Sequence, residues 1–278
     1  MYTDTHCHLN FQAFDGKLDE VIHSAKSAGV GIVVVPGTDI VTSIKAIEIS
    51  KKYLDIYAAV GIHPHHAIGY INSKDRLQSD LKKIERMLKE EKVVAVGEVG
   101  IDRYVYKKTK HKEYAVDEEF IDVQKILFTE QLNLVAKYKK TLIIHNREAK
   151  KDLLEILTKY KSLVTDYRVV FHCCEPDEEL LEFAKKYNVF IGVDGDLVYW
   201  SKKQRFIKVV PLEMLVLETD SPYLSPFRKF PNEPSNIPFI AKFIAELKGI
   251  EVKKVEDQTS ANAKKLFAFA NIRGCSSA

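Results

Sequence analysis

Short apolar, β-branched runs alternate with amphipathic stretches along most of this chain, and that rhythm constrains the fold more than any other feature. The runs are Tyr2–Leu9, Gly31–Pro36, Ile56–Ile62, Val93–Val99, Thr141–His145, Arg168–His172, Val189–Val193 and Met214–Leu217. Helical patterns lie between them, for example Leu18–Ala28, Ile40–Tyr53, Leu77–Glu90 and Phe120–Lys139. In the last of these, Phe120, Val123, Gln124, Leu127, Gln131, Leu134, Val135 and Tyr138 recur at helical spacing. Such alternation predicts parallel strands joined by crossover helices. Eight units in 278 residues fit an α/β fold, a (β/α)8 barrel of the TIM type, which needs about 250 residues. An open doubly wound sheet would carry a glycine-rich phosphate turn after its first strand, but the chain reads Asn10-Phe11-Gln12-Ala13 there. The expectation is one barrel domain over residues 1–278, with further helices at about 237–269.

Charge and cysteine content exclude other classes. The chain is 46% hydrophobic and 29% charged, the balance of a soluble globular protein. No apolar run approaches the roughly 20 residues of a membrane helix. The first residues lack the basic and apolar regions of a signal peptide. Four cysteines make no disulfide framework, so a cytoplasmic, reducing setting is expected. No membrane association and no obligate protein partner is indicated. A net charge of +3 permits a polyanionic partner without requiring one.

Chemistry-bearing residues gather at one kind of place. His6 and His8 close the first candidate strand, His63 follows the third, His145 ends the fifth and His172 the sixth. Glu98 lies at the end of the fourth, and Asp220 follows the eighth. Strand ends converge on one face of a barrel, where active sites are built. Residues at i and i+2 of a strand point the same way, so His6 and His8 are expected at the mouth and Cys7 toward the helices. Imidazoles and carboxylates together bind divalent metals. Six ligands exceed the needs of one tetrahedral zinc. Two ions about 3.5–4 Å apart, sharing a carboxylate, would use them all.

Several motifs then resemble the TatD family of metal-dependent deoxyribonucleases. They are Thr5-His6-Cys7-His8-Leu9, Gly61-Ile62-His63-Pro64, Gly97-Glu98-Val99-Gly100-Ile101-Asp102, Ile144-His145-Asn146-Arg147, His172-Cys173 and Leu217-Glu218-Thr219-Asp220-Ser221-Pro222. Asn232-Glu233-Pro234 and Asn262-Ala263-Lys264-Lys265-Leu266-Phe267 match as well. The resemblance implies a metal-dependent hydrolase barrel that removes nucleotides 3′–5′ from single-stranded or frayed 3′ ends of DNA. By the same resemblance, His6, His8 and Asp220 hold one ion with Glu98. Glu98 also reaches a second ion, held by His145 and His172. Asp220 orients or deprotonates the attacking water, and His63 touches the substrate phosphate or braces the ligands. The two divalent ions would be zinc, manganese or magnesium, and imidazole ligation favours the first two. The chain departs from the family pattern at Cys174-Glu175, where an aromatic and a small hydroxyl are usual, and at Pro231, where an arginine is usual. The alternative is hydrolysis of another ester or amide, such as an aminoacyl-RNA, on the same barrel.

Substrate contacts are expected from the segment after Glu98, where Arg103, Tyr104, Tyr106, Lys107, Lys108 and Lys110 interleave cations with rings. That composition suits a single strand, with phosphates on the cations and bases on the rings. Arg147 is expected to open a helix and either clamp a phosphate or pair with a carboxylate. Trp200 reads as core, and Lys202, Lys203 and Arg205 as a solvated helix start. Cys173 reads as buried, and His23, His65, His66 and His111 as surface residues.

Overall fold

A computed structural model describes residues 1–106, 116–166 and 168–269. Its eight strands lie in one parallel sheet, ordered β1 to β8 along the chain. They are β1 (Tyr2–Asp4), β2 (Val30–Pro36), β3 (Ile56–Val60), β4 (Val93–Asp102), β5 (Thr141–Arg147), β6 (Val169–Phe171), β7 (Phe190–Val193) and β8 (Leu215–Leu217). Backbone bonds from Thr5 N to Leu217 O (2.9 Å), Asp220 N to His6 O (2.9 Å) and His8 N to Ser221 O (2.8 Å) close the ring. The expected α/β barrel is therefore what forms.

Ten α-helices among the described residues surround the strands. They are α1 (Leu18–Ser27), α2 (Ile40–Lys52), α3 (Lys74–Met87), α4 (Glu118–Tyr138), α5 (Lys150–Lys159), α6 (Lys161–Asp166), α7 (Glu178–Tyr187), α8 (Ser201–Val209), α9 (Ile237–Lys248) and α10 (Val252–Phe267). Local chemistry sets their starts. Asp39 and Thr42 form a capping box on α2, and the Asp177 carboxylate accepts from two backbone N–H groups of α7.

The barrel has a sealed end and an open end. Val34, Tyr57, Ala59, Val94, Ala95, Ile143, Val170, Phe190 and Val216 fill its interior. Leu266, Phe267 and Phe269, at the end of α10, join the same cluster. Thr141, the first residue of β5, donates to the carbonyl of Leu266 at 2.6 Å. The last helix thus plugs the end where the strands begin, and the polar residues lie at the other.

The boundaries of β1, β4 and β5 differ from expectation for physical reasons. β1 stops at Asp4 rather than Leu9 because the buried Asp4 carboxylate takes over as acceptor. It accepts from His6 N at 3.2 Å, Thr219 N at 3.1 Å and the Thr219 hydroxyl at 2.6 Å. β5 runs on to Arg147 because β4 also continues, pairing Gly100, Ile101 and Asp102 with His145, Asn146 and Arg147. Arg147 therefore ends a strand, and the next helix begins at Lys150.

Candidate metal centre

The open end gathers the strand-end residues into one space. Glu98 occupies an irregular stretch of β4, where the pairing with β5 shifts register between Val96 and Val99. Its backbone N–H turns to Gly37 O, just after β2 and one strand beyond the adjacent β3, at 2.9 Å. The close approach of β4 to β5 requires glycine at 100. Its φ is +155°, and a β-carbon there would lie 1.9 Å from the His145 carbonyl oxygen. Cys173 and Asp220 follow β6 and β8 with φ of 43° and 50°. Non-glycine residues in that region cost about 1–3 kcal/mol and cluster at functional sites.

The two oxygens of Glu98 face two groups of imidazoles. Oε2 lies 3.4 Å from His6 Nε2 and 3.5 Å from His8 Nε2. Oε1 lies 2.7 Å from His145 Nδ1 and 3.6 Å from both His63 Nε2 and His172 Nε2. Asp220 Oδ1 is 3.4 Å from His8, 3.7 Å from His172 and 3.8 Å from His6. The rings of His6 and His172 stack with centroids 3.4 Å apart. His6, His8, Glu98, His63 and His172 are all buried.

The longer separations, from 3.4 to 3.8 Å, fit a shared cation better than direct hydrogen bonds, whereas His145 Nδ1 and Glu98 Oε1 at 2.7 Å make a hydrogen bond. Two ligand atoms on one tetrahedral ion, each about 2.0–2.1 Å from it, stand about 3.3 Å apart. Hydrogen bonds between nitrogen and oxygen are shorter, about 2.7–3.2 Å. Two clusters of metal-competent atoms share Glu98: His6, His8 and Glu98, and His63, Glu98 and His145. A third joins His172, Cys173 and Asp220. His6 Nδ1 is buried without a hydrogen-bond partner, and burial together with the charge of His172 lowers its pKa to about 4, so its ring is neutral. Burial also depresses His63. Burial opposes the charged forms of His8, His145 and His172 as well, but carboxylates overcome it. Asp220 and Glu98 lift His8 to about 9. Asp102 and Glu98 lift His145 to about 10. Glu218 and Glu98 lift His172 to about 9. Glu98 itself is buried, yet the surrounding histidines hold it well below the usual carboxylate range.

Two carboxylates behind the histidines, Asp102 at the end of β4 and Glu218 just after β8, are not among the expected site residues. Asp102 Oδ2 accepts from His145 Nε2 (3.0 Å), His65 Nε2 (2.8 Å) and the Tyr106 hydroxyl (2.9 Å). Glu218 Oε2 stands 3.1 Å from His172 Nδ1, and its other oxygen accepts from Cys173 N. Room for Glu218 exists because Gly192 has no side chain; a β-carbon there would meet it at 2.3 Å. Such partners fix ring orientation and raise ligand basicity. Their signal in the chain is even spacing, since Asp102 stands four residues after Glu98 and Glu218 two before Asp220.

Other expected residues are redistributed. His65 is not a surface residue; it is held by Asp102 against His63 and Tyr106. Lys203 is not solvated but 1% exposed, between Asp194 and Asp196. Trp200 is 38% exposed, so it is not core. Cys173 is half-buried, whereas Cys174 is fully buried. Glu175 turns to Asn146 Nδ2 (3.0 Å) and Glu148 N (3.1 Å) at the end of β5. Arg147 lies over the rings of Tyr104 (4.0 Å) and Tyr106 (5.1 Å) and donates to the Tyr106 hydroxyl at 3.0 Å. Its partners are therefore rings rather than a carboxylate. Arg103 is committed to Asp152 and Glu118. Lys107, Lys108, Lys110 and His111 lie outside the described residues.

Known proteins resemble this chain along most of its length. Residues 3–268 match the family described as TatD related DNase. An uncharacterized metal-dependent hydrolase of Bacillus subtilis, YabD, is 35% identical over 271 residues, covering 96% of this chain and 99% of that protein. The human deoxyribonuclease TATDN3 is 28% identical, covering 95% of this chain and 93% of its own length. The crystal structure of YjjV, a TatD homologue from Escherichia coli, superposes with a TM-score of 0.83 at 28% identity, covering 96% and 98% of the two chains.

Proposed function

This chain belongs to the TatD family of metal-dependent hydrolases, and from that premise we propose that it hydrolyses the phosphodiester bonds of DNA. The reading extends to 3′–5′ removal of nucleotides from single-stranded or frayed 3′ ends, with residues 1–278 acting as one catalytic barrel in a reducing, cytoplasmic setting. The observation that carries it is the division of Glu98, whose two oxygens face different sets of imidazoles. A carboxylate so placed suits a bridge between two divalent ions, zinc, manganese or magnesium.

His6, His8 and Asp220 are the proposed ligands of one ion, and His145 and His172 of the other, with Glu98 common to both. When bound, such ions polarise a phosphoryl oxygen and lower the pKa of a bound water from 15.7 to about 7. Asp220 would orient the attacking water and take its proton on the carboxylate. His172 is held by Glu218 and His145 by Asp102, which keeps their rings aimed at the centre. Neutral His63 stands ready to donate a hydrogen bond to a phosphate oxygen. Arg147 and Tyr104 form a rim contact for the strand, and Lys107 and Lys108 would extend it. The departures at Glu175 and Pro231 bear on substrate affinity rather than on the ligands. Glu175 is directed at β5, and Arg228 stands near the place of the missing arginine.

A labelled single-stranded oligonucleotide tests this reading. The protein should shorten it from the 3′ end with metal, and chelator should stop the reaction. Asp220→Asn should cost about 10²–10⁴ in kcat, the usual worth of a positioned base. Near-normal turnover of that variant would remove Asp220 as the proton acceptor.

A further inference from the structure

Aromatic exposure among the described residues is confined to one sector. Among the described residues, six Phe, Tyr and Trp side chains are exposed: Tyr199, Trp200, Tyr223, Phe227, Phe230 and Phe239. Tyr199 and Trp200 follow β7, the next three lie in the segment after β8, and Phe239 sits in the first turn of α9. The remaining exposed large apolar residues are aliphatic. A patch of exposed rings beside a catalytic mouth marks a binding surface.

The patch is continuous with the metal centre. Phe11 stacks on the His8 ring, with centroids 4.2 Å apart and planes 11° from parallel. Tyr223 meets Phe11 edge-on at 6.3 Å, and Phe230 follows Tyr223 at 6.2 Å. Exposure rises along this line to 49% at Tyr223 and 68% at Phe230. To one side, the Arg228 guanidinium covers the Tyr199 ring at 4.6 Å, and Lys229 is exposed beside it. The segment is braced from within. Buried Asn232 donates from Nδ2 to Thr219 O (2.9 Å) and from its backbone to Pro222 O (2.8 Å). Its Oδ1 accepts from Glu233 N (2.9 Å) and Asn236 Nδ2 (2.7 Å). The backbone that carries Tyr223 and Phe230 is therefore tied down before anything binds, which lowers the entropic cost of binding.

We propose that Phe11, Tyr223 and Phe230 form a stacking ladder for the unpaired bases of a single-stranded nucleic acid, with Arg228 and Lys229 facing its phosphates. Rings accept any base face, and cations follow the backbone, which is how sequence-tolerant single-strand sites work. A duplex hides its base faces in its own stack, so the ladder selects single strands. This inference rests on the phosphodiesterase reading and assigns the substrate's path away from the metals.

The test uses the full-length, metal-loaded protein and two substrates: a short labelled single strand, and methyl p-nitrophenyl phosphate, a diester too small to reach beyond Phe11. Tyr223→Ala with Phe230→Ala should raise KM for the oligonucleotide by about ten- to a hundredfold. Its kcat should change little, and the small diester should be hydrolysed as before. Tyr223→Phe with Phe230→Tyr should restore the oligonucleotide KM. An unchanged oligonucleotide KM in the alanine variant, equal losses on both substrates, or failure of the aromatic rescue would overturn the ladder and leave the chemistry intact. Hydrolysis of the small diester but of no oligonucleotide would overturn the ladder and the nucleic-acid substrate together. Inactivity of the wild type toward both would remove the phosphodiesterase reading itself.

Discussion

Two buried polar clusters near the open end of the barrel handle charge in different ways. After β7, Lys203 brings its ammonium between Asp194 and Asp196, with the Asp196 contact at 2.6 Å. That cluster carries its own cation. Despite burial, Lys203 holds Asp194 down to about 2. Burial and the neighbouring Asp194 push Asp196 up to about 8. At the metal centre, Glu98 and Asp220 find only histidines as ion-pair partners among the described residues. Imidazoles can hold protons or release them, so the positive charge there is exchangeable. The first cluster is built to hold the loop that follows β7, and the second to accept metal.

Variants can break this contrast. The largest effect is expected from Glu98→Ala, which removes the carboxylate common to both groups of imidazoles. Bound metal should fall below one ion per chain by elemental analysis and turnover should fall to background, while chemical denaturation still shows a cooperative fold. Retention of two ions would show that Glu98 is not shared. Next comes Lys203→Met, which leaves Asp194 buried without its cation. Breaking such a pair costs about 3–5 kcal/mol, readable as a lowered urea midpoint, and Asp194→Asn in the same chain should recover part of it. A loss under about 1 kcal/mol would mean that Lys203 is no structural counter-ion.

The smallest effect concerns pH and sharpens the idea of exchangeable charge. His8 at about 9, His145 at about 10 and His172 at about 9 are raised above the ordinary value near 6.5. Below those values the metal-free centre carries protons that an incoming ion must displace. Metal affinity should therefore rise with pH between 7 and 9, by about tenfold per pH unit for each proton expelled. Calorimetric titration with zinc in two buffers of different ionisation enthalpy counts those protons. A flat pH profile without proton release would mean that the histidines are neutral before metal arrives.

Much of the fold and the candidate ligand set is legible along the chain. Eight β-branched runs separated by amphipathic segments allow few arrangements other than a barrel. His6, His8, His172 and Asp220 stand just past strand ends, and Glu98 and His145 lie in the C-terminal halves of β4 and β5, so convergence follows from topology. Lys203 misleads because it sits at the start of α8 among Lys202 and Arg205, a pattern that reads as solvent-facing. Only the packing of α8 against the turn after β7 turns it inward. Trp200 misleads in the opposite sense, since a lone large ring is usually buried, and here the rim leaves it open. Arg147 reads as a helix start because the extension of β4 that lengthens β5 lies more than 40 residues away, from Asp102 to Arg147.

The order of residues thus sets the barrel and the kinds of atom delivered to its mouth, because periodicity and strand-end placement are local properties. Three-dimensional packing sets the rest. It gives Glu98 two faces, places Asp102 behind His145 and Glu218 behind His172, and lines Phe11, Tyr223 and Phe230 into one path. Those relations join segments as distant as His8 and Tyr223. Their physical basis is the closing of the ring between β1 and β8, which no local pattern of residues records.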